Sequence, residues 1–259
     1  MKVGDFMTEN DELKIYRGED FIVSKYIKIH QPSINEICEY GERKYYQMVH
    51  HLTATPQSIK WQLWDVFHTD YTTLTPYELF YSILYSSYSQ EKTSIIFGDL
   101  DFTKFKLVEV TDINGHKSIK LYQNINGEEV YLDELTYNII VDYLREVHSI
   151  QKDEKMPANE STKMALIEDD RDAYLLGKDK EYHSQLKNMI SAMINCEGFK
   201  YSHSQVWNMK INAFMDSVKR ILKIKNADLL LQSAYSGFGV NLNDVPDKDK
   251  KLDWLGGLD

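Results

Sequence analysis

The sequence has few of the features that mark secreted, membrane-embedded or nucleic-acid-coating proteins. It contains only 2 cysteines in 259 residues, so no disulfide framework of the secreted kind is expected. No run approaches the ~20 apolar residues that a transmembrane helix needs, and the first residues lack the apolar core of a signal peptide. Acidic residues outnumber basic ones by 40 to 30, which argues against a protein that neutralises nucleic-acid phosphates. We therefore expect a cytosolic protein without a membrane or nucleic-acid partner.

The sequence also lacks the short motifs of the common enzyme classes. It has no G-x-S-x-G elbow, Walker A loop, G-x-G-x-x-G fingerprint, H-E-x-x-H pair or EF-hand spacing. The pair His50 and His51 lacks the i, i+4 spacing and the third ligand of a helical zinc site. The acidic cluster Glu168, Asp169, Asp170 and Asp172 is interpreted as a solvated helix face, because adjacent helical residues point in different directions and cannot share one ion. Cys38 and Cys196 lie on or beside predicted apolar stripes, which favours structural thiols, although a Cys-His pair formed in space stays open. We expect no catalytic residue, no cofactor and no metal.

The first third of the chain begins with an arm and a strand and continues with helices. Residues 1–20 are polar and acidic, which predicts a loosely held arm, and residues 21–29 alternate apolar and polar side chains as a half-buried strand does. Helical spacing then runs to Leu52, across the unfavourable Gly41. Three helix-start signals are present, at Ser33 with Glu36, Thr55 with Pro56, and Thr75 with Pro76 and Glu78.

The following segment changes to period 2 and predicts a three-stranded antiparallel meander. The strand-like runs are 104–112, 116–123 and 128–132. Asn-Gly pairs at 114–115 and 126–127 separate them, and these pairs favour type I′ turns because both central residues need positive φ. Asp133 then caps a helix whose apolar stripe can cover the meander. Residues 21–150 are therefore predicted to form an α+β lobe.

The remaining residues predict a linker, a helical lobe and a tail. Residues 151–162 are charged and aperiodic, which is typical of a linker. An all-helical lobe is predicted over 163–239. Its helices are predicted at 164–176, 182–195 and 211–225, with 228–235 following a break. Residues 240–259 form a polar, flexible tail. The predicted fold class is α+β, helix-rich, with a small antiparallel β-meander in the N-terminal lobe and an all-helical C-terminal lobe.

Two segments of the C-terminal part are candidates for partner binding. The tail carries four large apolar residues in a segment too polar and glycine-rich to fold alone, namely Leu252, Trp254, Leu255 and Leu258. Docking onto the parent fold and docking on a partner are both left open. The second segment is the basic cluster Lys219, Arg220, Lys223 and Lys225. We interpret this cluster as a solvated helix face, with a docking patch for an acidic partner as the alternative.

Six sequence blocks support a comparison with known families. They are YRGED at 16–20, HQPSINEICEYGERKYYQMVHHLTATP at 30–56, KWQLWD at 60–65, FGDLDF at 97–102, AFMDSVKRILKIKN at 213–226 and DWLGGLD at 253–259. Together they resemble a family of proteins encoded by phages and prophages of Gram-positive bacteria. The resemblance spans nearly the whole chain, and its members look like components of the tail morphogenesis module, most like phage tail assembly chaperones.

The resemblance implies a non-enzymatic protein that binds phage tail proteins in the host bacterial cytoplasm. Its partners would be the tape-measure protein, tail-tube subunits or both, whose hydrophobic helices it keeps soluble until the tube polymerises. The 9 methionines suit a surface that accommodates varied helices, with ordinary core packing as the alternative. Two other functions stay open, a structural virion component of the tail or connector and a phage-encoded enzyme or host-interaction factor. The client and the oligomeric state, including a homo-oligomer, also stay open.

Overall fold

The computed structural model describes residues 9–111, 113, 115–236 and 239, which form a helix-rich α+β fold with two small antiparallel sheets. The α-helices are α1 (Glu9–Arg17), α2 (Ile34–Tyr40), α3 (Glu42–Leu52), α4 (Lys60–Asp65), α5 (Pro76–Leu79), α6 (Gln90–Phe97), α7 (Glu134–His148), α8 (Glu160–Gly177), α9 (Gln185–Ile194), α10 (His203–Val206) and α11 (Ile211–Tyr235). The strands are β1 (Phe21–Ile22), β2 (Lys28–Ile29), β3 (Lys106–Thr111), β4 (Lys117–Ile125) and β5 (Glu128–Leu132). The predicted fold class is confirmed.

Short helical segments connect several of these elements. The 3₁₀ segments are Pro56–Ile59, Tyr71–Thr73, Tyr85–Ser87 and Phe102–Lys104, and a π-helical segment, Phe80–Leu84, continues α5. The helical stretch that begins at Pro76 ends at Ser87. Helix α6, which begins directly after Ser89, was not predicted from the sequence.

Capping side chains start the helices where the sequence predicts. The Glu36 backbone N–H donates to Ser33 Oγ at 3.2 Å, and the Glu36 carboxylate accepts from the Ser33 N–H at 2.6 Å. Thr55 and Thr75 form the same reciprocal box at the next two starts. Each cap stabilises its helix by about 1 kcal/mol. The N-cap serines and threonines thus satisfy backbone groups that the first turn leaves unpaired.

Gly41 divides what the sequence predicts as one helix. Its φ of +102° lies in a region that side chains strongly disfavour, and it separates α2 from α3. The prediction of a continuous helix to Leu52 was wrong. Cys38 is exposed on α2, one residue beyond the buried Ile37, so its interpretation as a structural thiol was wrong too.

The meander has the predicted strands and order, β3-β4-β5. Asn126 and Gly127 have φ values of +53° and +87°, which confirms a turn with both central residues at positive φ. Leu121 in β4 pairs with Leu132 in β5, and both are fully buried. The buried face of α7 closes the core over this part of the sheet.

The N-terminal prediction needs correction. Residues 9–17 form a helix, α1, whose Ile15 is buried and accepts a hydrogen bond at its carbonyl from Gln31 Nε2 at 2.9 Å. The predicted strand at 21–29 is a tight hairpin of two short strands, because the Ile27 N–H donates to Ser24 Oγ at 3.1 Å and turns the chain back. The structure therefore anchors the described part of the arm to the core.

The helices after residue 160 lie close to their predicted positions and share a core with the preceding part. Buried residues of α9 and α11, such as Ile190 and Phe214, belong to the same cluster as Leu144 of α7. The division at 151–162 stays a prediction about independent folding. The predicted break before residue 228 was wrong, because α11 runs unbroken and buries Ala227 there. Among the helices that the structure describes, none has the combination of length and hydropathy that a membrane span requires.

Candidate functional site

The β3–β4 hairpin extends past the helices that cover the rest of the sheet. β5 ends at Leu132 opposite Leu121, so residues 117–120 of β4 pair only with β3 among the described strands. Leu107 and Ile119 lie on the same sheet face as the buried Leu121, yet they are 47% and 40% exposed. The apolar face that builds the core thus continues into solvent on this hairpin.

A cleft, here called the hairpin cleft, lies between this hairpin, α5 and the first turn of α7. Its volume is about 600 Å³. A neighbouring hollow of about 480 Å³ beside Leu107 shares Lys117, Ser118 and Ile119 with it. The other residues that line the cleft are Thr75, Tyr77, Glu78, Tyr81, Lys120, Asp133, Glu134 and Leu135. Together the two hollows form an open surface with apolar side chains on both walls.

Tyr77 holds together the elements that form the hairpin cleft. Its hydroxyl shares its proton between the carbonyl oxygens of Leu132, at 2.9 Å, and Ile119, at 3.1 Å. The hydroxyl thereby satisfies a β4 carbonyl at the point where β5 has ended. Burial and the nearby charge of Asp133 raise the pKa of Tyr77, so the hydroxyl stays a neutral donor. The side chain joins α5 to both strands.

Most ionisable groups around the cleft have structural partners. The Glu78 carboxylate accepts from the Thr75 N–H at 2.7 Å and caps α5. Asp133 accepts from the Thr136 N–H at 3.0 Å and caps α7, and Lys120 Nζ lies 3.4 Å from its other oxygen. Burial opposes ionisation of Asp133, but these hydrogen bonds and the lysine charge together lower its pKa. These carboxylates hold the fold and are poorly suited to proton transfer.

The charges at the rim of the cleft are unbalanced towards acid. Lys117 Nζ lies 2.9 Å from Glu109 and neutralises it. Glu78 and Glu134 form no salt bridge within the described residues, and after burial their charges are the causes that raise the pKa of Tyr81. The cleft thus combines a few apolar and aromatic side chains with a polar lining that is acidic on balance, which fits a partner that offers apolar side chains flanked by basic ones.

The most strongly perturbed histidine lies elsewhere, enclosed in the core. His148 Nδ1 donates to the Leu144 carbonyl at 2.7 Å, and its Nε2 accepts from the Tyr45 hydroxyl at 2.5 Å. Burial lowers its pKa to about 4. Both ring nitrogens have partners and both rings are buried, so this pair stabilises the packing of α3 against α7.

The residues predicted from the sequence are not those of the hairpin cleft. Leu252, Trp254, Leu255 and Leu258 lie outside the described residues, and their role in partner binding stays a prediction. The basic cluster lies on α11, where Lys219, Arg220 and Lys223 are partly buried and Lys225 is exposed. Within the described part of the chain, no group of three or more His, Cys, Asp or Glu residues is placed to hold a metal ion. Alternating apolar residues in β4 were the available signal for the cleft, but they do not reveal where the helical cover ends.

Comparison with known proteins connects the C-terminal part of the chain to phages. Residues 177–253 match the family model described as the YomV second domain. YomV is a Bacillus prophage protein, so the match supports a phage-associated protein, in agreement with the resemblance seen in the sequence. The matched region contains α9, α10 and α11 and continues beyond Tyr235. A search of curated proteins gave no match, and a search of solved structures gave none.

Proposed function

We propose that this phage-associated protein is a non-enzymatic morphogenesis factor, a tail assembly chaperone that binds the tape-measure protein, tail-tube subunits or both in the host cytoplasm. The observation that carries the proposal is the hairpin cleft, where the apolar face of a sheet continues beyond its helical cover. A chaperone for hydrophobic helices needs an accessible apolar surface of this kind.

The size and chemistry of the cleft suit a peptide segment as its ligand. The two hollows, of about 600 and 480 Å³, have the volume of typical binding pockets but lie open along one side. Leu107, Ile119 and Leu135 are already about half buried, so full cover by a client would add about half of the ~1.5–3 kcal/mol of a fully exposed side chain, or roughly 0.8–1.5 kcal/mol each. The acidic rim formed by Glu78 and Glu134 selects a helix with basic residues beside its apolar stripe.

The polar side chains of the cleft also support binding over catalysis. Glu78 and Asp133 are helix caps, and the Tyr77 hydroxyl bonds two strand carbonyls. The lowered pKa of Asp133 keeps it ionised, and protonation of either carboxylate would weaken the helix cap that it forms. The net charge of −10 further helps to keep a complex with an apolar client in solution.

The experiment is co-expression of the intact chain with the tape-measure protein of the same phage, followed by size-exclusion chromatography. The test variant is Leu135→Asp, in the first turn of α7, where a carboxylate agrees with the helix dipole and the fold is preserved. The matched control is Leu175→Asp on α8, since the two leucines are 51% and 47% exposed. We expect the wild type and the control to elute with soluble client, and Leu135→Asp to bind at least about tenfold more weakly.

Two results would contradict the proposal. The first is an insoluble client with no complex for the wild type, and the second is equal binding by the test and control variants, which would exclude the hairpin cleft. Mass spectrometry of purified virions distinguishes a chaperone from a structural tail or connector component. A chaperone is absent from the finished particle, whereas a structural component is retained.

A further inference from the structure

Helix α8 packs mainly against α4 and the 3₁₀ segment Tyr71–Thr73. The surface that receives it, here called the α4 surface, consists of Lys60, Trp61, Leu63, Trp64, Asp65, Asp70 and Tyr71. Ile167 of α8 is fully buried there, in a small apolar cluster with Leu63 and Tyr71. The buried residues of this cluster belong to a different cluster from those of the main core. The α4 surface thus holds α8 through contacts of its own.

Aromatic side chains of the α4 surface contact α8 at defined positions. The ring centroids of Trp61 and Tyr174 lie 4.7 Å apart. Lys163 Nζ lies 5.4 Å from the centre of the Trp64 ring and donates to Asp70 at 2.7 Å. Ring pairs and cation–π contacts contribute beyond the area that they bury. The two tryptophans are therefore the main recognition elements of the surface, as tryptophans commonly are at interfaces.

Salt bridges fix the position of α8 relative to α4. Arg171 Nε and Nη2 donate to the two carboxylate oxygens of Asp65 at 2.6 and 2.7 Å, a bidentate pair with a defined orientation. Lys60 Nζ lies 3.5 Å from Asp170. All four side chains are less than one-third exposed, so solvent and salt screen them only in part. Each end of α4 thus carries a charge that pairs with α8.

Helix α8 is held by little besides these contacts. Of its 18 residues only Lys163 and Ile167 are buried, whereas 8 of the 15 residues of α7 are buried. The segments on either side of it, residues 151–157 and 181–184, contain no helix or strand. A helix with so few buried side chains opens at lower cost than the core of the protein. Detachment of α8 therefore leaves the main core intact.

The same helix is a poorly optimised occupant of the surface. It buries the lysine Lys163, and desolvation of that charge offsets part of the attraction of its partners. Tyr174, Leu175 and Leu176 at the end of α8 are between 47% and 75% exposed. A helix from another protein that buries more apolar area can therefore displace α8.

We propose that the α4 surface is a binding site for a helix of a partner protein, and that α8 is the resident helix with which this partner competes. The side chains that α8 places on the surface define the partner. It carries two basic residues eight positions apart, as Lys163 and Arg171 are, with an apolar residue midway, as Ile167 is. Apolar or aromatic residues follow the first basic residue by one and by eleven positions. An amphipathic helix of this pattern presents its cations to Asp65 and Asp70.

Competition with α8 sets the affinity that the partner shows. The apparent dissociation constant equals the intrinsic constant divided by the fraction of molecules in which α8 has left the surface. A substitution that weakens the hold of α8 raises this fraction and tightens binding in the same proportion. On an uncovered surface, by contrast, the same substitution in α8 would leave the affinity unchanged.

Fluorescence anisotropy of a labelled peptide of residues 158–178, titrated with the full-length chain, tests the proposal. The test variant of the chain is Ile167→Ala, which removes the buried anchor of α8 but favours its helix. The control is Leu176→Ala, at a position of the same helix that is 75% exposed. We expect the peptide to bind Ile167→Ala at least about tenfold more tightly than the wild type, and the control to bind as the wild type does. A peptide that carries Ile167→Asp is expected to lose this binding.

A second variant of the chain, Arg171→Gln, decides the outcome if Ile167→Ala fails to fold. It removes only the partly exposed salt bridge to Asp65, so we expect binding about two- to fivefold tighter than in the wild type.

Three results would overturn the proposal. The first is equal affinity of the wild type and the α8 variants, and the second is equal binding of the two peptides or no binding of either. The third is a dimer of Ile167→Ala in size-exclusion chromatography, which assigns the surface to α8 of a second copy. None of the substituted residues lines the hairpin cleft, so a failure here leaves the proposed chaperone function to its own test.

Discussion

Acidification is predicted to destabilise the protein through the buried pair of Tyr45 and His148. In the folded state the Tyr45 hydroxyl donates to His148 Nε2, and burial lowers the pKa of His148 from 6.5 to about 4. Between these two pH values the unfolded chain binds a proton that the folded chain does not bind. The free energy of unfolding must therefore fall as the pH decreases through this window.

The size of the effect follows from the two pKa values. A single group with pKa values of 6.5 unfolded and about 4 folded reduces the free energy of unfolding by about 2 kcal/mol between pH 7 and pH 5, and by about 3 kcal/mol at pH 4. Charge on the neighbouring His50 acts in the same direction. Below pH 4 the loss from His148 levels off, because the folded state is then protonated as well.

The assay is urea unfolding at pH 7, 6 and 5, followed by circular dichroism and tryptophan fluorescence, for the wild type and for the double variant Tyr45→Phe/His148→Leu. Replacing both partners removes the titration without leaving an unpaired buried polar group. Because His51 is present in both proteins, the effect of its lowered pKa largely cancels in the comparison. We expect the wild type to lose about 2 kcal/mol more than the double variant between pH 7 and pH 5. Equal pH dependence of the two proteins would refute the assignment to His148.

Two further predictions concern the backbone at Gly41 and the support of the hairpin cleft. Gly41→Ala is expected to lower the free energy of unfolding by about 1 kcal/mol, because φ is +102° there. Thermal or urea unfolding measures this change. An increase of similar size in the free energy of unfolding would instead indicate the continuous helix that the sequence suggests. Tyr77→Phe removes the donor shared by two strand carbonyls and is expected to cost about 1–2 kcal/mol in urea unfolding, with faster hydrogen exchange at residues 117–120. Unchanged exchange on the β4 edge would show that Tyr77 does not hold the hairpin.

Much of the local structure could be predicted because it depends on residues close in sequence. The capping boxes at Ser33, Thr55 and Thr75 each involve groups three residues apart. The turn at Asn126 and Gly127 depends on two residues that tolerate positive φ. The meander and the helix after it follow from the period of their apolar residues. The sequence blocks also indicated the phage association that the match over residues 177–253 supports.

Contacts between distant segments decided the features that the sequence did not reveal. Residues 9–17 are polar enough to suggest a loose arm, yet Ile15 inserts into the core and Gln31 bonds its carbonyl. The hairpin cleft exists because β5 ends at Leu132 while β4 and β3 continue, which leaves Ile119 uncovered. The sequence by itself thus determined where the capped helices, the turn at Asn126 and Gly127 and the strands of the meander begin, since those choices depend on neighbouring residues. Only the tertiary structure decided which apolar faces are covered, because coverage depends on how far each packing partner extends.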